Sequence, residues 1–130
     1  MEERRVQIPA QYVERFYAAY AAFVVEVLKA IQDAARLPGS KAIEELSMWE
    51  RQALPAIEKR LAQIQRAVSD YKNGDEFAIV QCADDASGLS KNLDPFSMDF
   101  AGPDHASALN SLLTQVVLKA YMVRQAAGLS

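Results

Sequence analysis

From Ala10 to Arg36 the chain repeats apolar residues at helical spacing, with no Gly or Pro to interrupt them. Pro9 stands where a first turn accepts proline, and the LPGS stretch at 37–40 supplies a stop and a turn. The apolar positions form two adjoining stripes. One leans aromatic (Tyr12, Phe16 and Phe23, with Ala19 and Ala30 between), and the other is mainly aliphatic (Val13, Tyr17, Val24, Val27, Leu28, Ile31). On a helical wheel they span about 160°, against the roughly 100° of a helix covered on one side. The pattern therefore predicts neighbours on more than one side.

A second stripe runs through Ile43, Leu46, Trp49, Ala53, Ile57, Leu61, Ile64, Val68 and Tyr71, with Ser40 as its predicted cap and Asn73-Gly74 as its stop. Pro55 falls inside it and has no N–H to bond one turn back, so a kinked continuation is expected near Ala53 and Leu54. The FAIVQC run after Asp75 reads as a short capped helix. As a strand it would have no second strand to pair with. A last helix is predicted from a cap at Asp104 to about Ala127, with Leu109, Leu112, Leu113, Val116, Ala120 and Val123 on one face and Gly128 as the stop. Three long helical segments and one short one define an all-α antiparallel bundle, a single domain over residues 1–130.

Residues 89–103 fit this scheme least well. They show no clear period, and fifteen residues is long for a helix–helix connection. Within them NLDPFSMDF combines turn formers with Phe96, Met98 and Phe100, which in an extended loop would all point the same way. Burial of each would contribute about 1.5–3 kcal/mol, so the segment reads as an ordered anchor that displays Asp94 and Asp99. The acidic charge gathers in the same part of the chain. Between residues 70 and 104 there are eight acidic side chains and two basic ones, whereas the first 69 residues are nearly balanced.

The net charge of −3 gives no bulk attraction to phosphate or anionic lipid, so neither nucleic acid nor membrane is an expected partner. The longest uncharged run near the start, Phe16 to Val25, would rise only about 15 Å as a helix. MEERRVQIPAQ lacks the apolar run of a secretory signal, and Cys82 has no second cysteine, so a cytoplasmic location is expected.

Catalytic sets are thin. His105 stands beside Asp104 at a helix start, and a nucleophile such as Ser107 or Ser111 would need it as activator, but Ser111 lies two turns away. Zinc would need several Cys or His ligands where the chain has one of each, and no Glu is followed by His three residues on, as a di-iron bundle requires. The five glycines are scattered singly at element boundaries, which leaves no phosphate-cradling loop. No catalytic residue, metal ligand or cofactor is therefore assigned.

Surface remains. Leu118 and Met122 lie opposite the Leu109–Val123 stripe, and Tyr121 sits at its edge. The expected function is a non-catalytic interaction module (an adaptor, inhibitor, immunity-type antidote or chaperone) that binds a protein partner through Asp94, Phe96, Met98, Asp99, Phe100, Leu118, Tyr121 and Met122. A homodimer through the Leu118 face is a further expectation. The alternative is a small-molecule-binding or metal-dependent bundle enzyme with 89–103 as a lid.

Overall fold

A computed structural model describes residues 7–36 and 40–128, with only the backbone for 40–42. The predicted LPGS stop and the Ser40 cap thus lie outside the described side chains. The elements are α1 (Ala10–Ala34), α2 (Ser40–Met48), a π-helical turn (Trp49–Ala53), α3 (Leu54–Lys72), α4 (Phe77–Ser87), α5 (Leu89–Leu93), a 3-10 turn (Asp99–Ala101) and α6 (Gly102–Ala126). Among the described residues there is no strand, so FAIVQC is helical as expected, opened by a bond from the Phe77 N–H to Asp75 Oδ1 at 3.0 Å.

α1 lies between α6 and α3, and α4 closes the bundle against both α3 and α6. This accounts for the breadth of α1's apolar face. Val13, Phe16, Tyr20, Phe23, Val24, Val27, Ala30 and Ile31 are all buried, so most of the width is taken up by neighbours within the chain, while Tyr12, Tyr17, Ala19 and Leu28 at its margins are half-buried. Tyr20 belongs to this core although neither predicted stripe contained it. On the second segment Leu46, Trp49, Ala53, Ile57, Ile64 and Tyr71 are buried as expected. Ile43 is an exception at 59% exposed: it lies in the first part of α2, before the segment is covered.

The kink expected at Pro55 takes the form of the π turn. In a regular helix the Pro55 N–H would bond the Arg51 carbonyl and the ring would press on it. Here the ladder widens by one residue, the Leu54 N–H bonds Trp49 O, and Pro55 falls in the first turn of α3 where no donor is needed. The apolar spacing agrees with this. Trp49, Ala53, Ile57 and Leu61 follow one another at steps of four, which in a regular helix would drift by about 40° per step. One inserted residue removes most of that drift, keeping Trp49 and Ile57 both buried.

At the chain's start, Ile8 is 1% exposed and tucked between the end of α3 and the start of α4. Its N–H donates to Glu76 Oε2 at 2.7 Å, and its carbonyl accepts from the Tyr71 hydroxyl. Both backbone groups are satisfied by side chains, as a buried peptide requires.

Candidate functional site

The segment 89–103 is ordered as expected, but it contains helical turns that its sequence showed no period for. Leu89 and Leu93, one turn apart and both buried, turn its first five residues into α5, which packs on α6. The chain then closes local turns: the Phe96 N–H bonds Leu93 O at 2.9 Å, the Asp99 N–H bonds Ser97 Oγ at 3.2 Å and the Ala101 N–H bonds Met98 O at 3.1 Å. Gly102 has φ +81°, a conformation that favours glycine, and this lets the chain swing directly into α6. The last helix therefore begins at Gly102, with Pro103 in its first turn, and Asp104 lies within that turn instead of capping it.

Trp49 fastens this segment. Its ring lies 5.8 Å from Phe96 and 5.6 Å from Phe100, both tilted, and its Nε1–H donates to the Ser97 carbonyl at 2.8 Å. Phe100 is buried, while Phe96 and Met98 are half-buried. The aromatics thus do anchor, but through turns wrapped around an indole, without the extended row that alternation suggested. Asp94 and Asp99 remain exposed and make no ion pair among the described residues.

Beside this anchor, along α6, run two adjoining hollows of about 330 and 280 Å³ that share Ser90, Asn110 and Leu113 as walls. The first continues past Thr114 and Val117 to Leu118 and Tyr121, and the second reaches Leu93, Asp94, Phe96, Met98 and Asp99. Together they form one groove with an apolar end and an acidic end. From Asn110 to Tyr121 it covers three turns, about 16 Å. Two polar residues along it each give one hydrogen bond to their own helix: Asn110 Nδ2 donates to Ala106 O at 3.0 Å and Thr114 Oγ1 to Asn110 O at 2.9 Å.

Of the eight side chains expected at a partner surface, the groove brings together Asp94, Phe96, Met98, Asp99, Leu118 and Tyr121. Phe100 is consumed by the core, and Met122 is half-buried outside the groove. Ser90, Asn110, Thr114 and Val117 were not anticipated. The signal was available, because Asn110, Thr114, Val117, Leu118 and Tyr121 repeat at spacings of three and four along the flank of the core stripe. At the apolar end the Arg124 guanidinium lies 5.5 Å from the Tyr121 ring centre.

His105, Asp84 and Asp85 are held in structural pairs. His105 does not pair with Asp104. Its Nδ1–H donates to Glu26 Oε2 and its Nε2–H to Asp33 Oδ2, each at 2.7 Å, which ties the start of α6 to α1. Those two carboxylates favour the imidazolium and raise the His105 pKa above its ordinary value. An imidazolium donating from both nitrogens has no lone pair for a nucleophile or a metal. Asp85 pairs with Arg60 at 3.0 Å and Asp84 with Arg124 at 3.4 Å, so these two α4 carboxylates bind their helix to α3 and α6. Burial pushes the Cys82 thiol up, as suits an unreactive side chain. Among the described residues no three Asp, Glu, His or Cys side chains converge to hold a metal, and no helix is long and apolar enough to cross a membrane.

Fold and groove define an all-α helical bundle with one two-ended surface channel. No family model, no curated protein and no solved structure matches the chain.

Proposed function

We propose that this chain is a non-catalytic protein-interaction module, an adaptor, inhibitor, immunity-type antidote or chaperone of the cytoplasm, that receives a segment of a partner protein along α6. The observation supporting this reading is the continuity of the groove, which joins exposed Leu118 and Tyr121 to exposed Asp94 and Asp99. Its dimensions suit an amphipathic helix of about three turns, with apolar anchors against Val117, Leu118 and Tyr121. Charge complementarity assigns that helix a basic side chain where it meets Asp94 and Asp99, a pairing that speeds encounter more than it tightens the complex. A lid role for 89–103 finds less support, because Trp49 fastens the segment through two rings and a hydrogen bond.

The test compares affinity capture from native lysate by the wild type and by Leu118→Glu. A protein retained by the first and lost from the second, with helix content equal by circular dichroism, supports the groove. Identical captured sets would remove it as the docking surface. Light scattering on the same two proteins reads the homodimer: a dimer that Leu118→Glu converts to monomer places a second copy on this face, and a monomeric wild type ends that version.

A further inference from the structure

The Tyr20 side chain is wholly buried, yet its hydroxyl has no hydrogen-bond partner among the described residues. Few buried polar groups in folded proteins are left in that condition. Tyr20 of α1 lines a cavity of about 10 Å³ together with Arg60, Gln63 and Ile64 of α3 and Cys82, Asp85 and Ala86 of α4. That is close to the space one water molecule needs, and several walls are polar. Burial holds the Tyr20 phenol far above its ordinary range, so it stays protonated and keeps a proton to donate.

We infer that this cavity is a hydration site for a single ordered water, which accepts from the Tyr20 hydroxyl and donates to the Gln63 amide oxygen and the Asp85 carboxylate, joining α1, α3 and α4 through one molecule. A water bound at a buried polar site is ordinarily held by two to four such partners. Gln63, Cys82 and Asp85 also wall an open cleft of about 270 Å³ between α3 and α4, which is the route by which the water enters and leaves. Two walls of the cavity, Arg60 and Asp85, are joined by an ion pair at 3.0 Å. This site is independent of the α6 groove and of any partner bound there.

The experiment uses the full chain, isotopically labelled, and detects cross-relaxation between protein protons and long-lived water by NMR, followed by thermal melts of wild type and Tyr20→Phe. The inference expects a water cross-peak to the Tyr20 ring and the Ala86 methyl in the wild type. That signal should disappear in Tyr20→Phe, with a melting temperature lower by about 2–6 °C from the lost hydrogen bonds. Absence of the wild-type cross-peak overturns the site by itself, whatever the variant does. A rise in melting temperature on Tyr20→Phe also overturns it, because removing a dry, unpaired hydroxyl stabilises the fold whereas removing a hydrated one does not.

Discussion

Phe100→Ala tests whether the turn-rich segment before α6 is held by the core. The ring is 4% exposed, so its transfer from water contributes about 1.5–3 kcal/mol. Its tilted packing on Trp49, at 5.6 Å, adds about 0.5–1.5 kcal/mol. The expected loss is therefore about 2–4.5 kcal/mol, overlapping the range for emptied aromatic core positions. Against a total stability of about 5–15 kcal/mol this is a large fraction, and urea unfolding would read it as a lower midpoint at unchanged slope. Phe96→Ala is the internal control. That ring meets the same indole at 5.8 Å but is only half-buried, so its loss should be roughly half as large. A Phe100→Ala loss below about 1 kcal/mol, or equal losses at the two positions, would refute the claim that Trp49 and the core hold this segment.

His105 is the chain's one histidine, and its pKa in the fold is raised, first by its hydrogen bonds to Glu26 and Asp33. The stabilisation it supplies is complete below the unfolded value of about 6.5 and is lost as pH rises through the folded pKa. Thermal melts from pH 5 to 9 should show stability falling over that window, and His105→Gln should flatten the slope; an unchanged slope would exclude His105 as its source. Glu76→Ala strips the partner from the buried Ile8 N–H and should cost about 1–3 kcal/mol by urea unfolding, with faster hydrogen exchange at the Ile8 amide. Retention of full exchange protection would show that Glu76 does not hold this strap. For the groove, Asp94→Asn with Asp99→Asn should slow association with a captured partner at low salt and leave the difference small at high salt, measured by stopped flow. An equal rate at low salt would remove the electrostatic half of the docking reading.

The helices were legible because their apolar residues repeat at helical spacing and their ends carry Pro, Asn-Gly and Gly signals. The steps of four from Trp49 to Leu61 even contain the π turn, but they show it only if the drift is counted as well as the period. α5 was missed because a single turn offers only Leu89 and Leu93 as evidence, too few positions to define a period. Which aromatics face a neighbour was beyond reach for a different reason. Alternation assigns faces only in extended chain, and here turns place Phe96 and Phe100 on one indole contributed by residue 49. The His105 bridge was hidden similarly, since Glu26 and Asp33 lie more than seventy residues away in sequence.

The acidic end of the groove depends on Pro55, more than thirty residues earlier in the chain. Because proline cannot continue the regular ladder, the preceding turn opens to the π form, and this keeps Trp49 on the inward face of a helix that continues into α3. The indole then supplies two ring contacts and one donor to residues 96–100, so the turn carrying Asp94 and Asp99 is fixed against the bundle. Charges on a fixed turn spend less ordering entropy when they meet a partner than charges on a loose one. Replacing Pro55 with alanine restores the missing donor and lets the regular ladder compete, which would rotate Trp49 by about 100° relative to Ile57. The predicted consequence is quenched or red-shifted fluorescence of the lone tryptophan and slower partner association, with little loss of helix by circular dichroism. An unchanged emission maximum in Pro55→Ala would show that the bundle holds Trp49 in place without help from the proline.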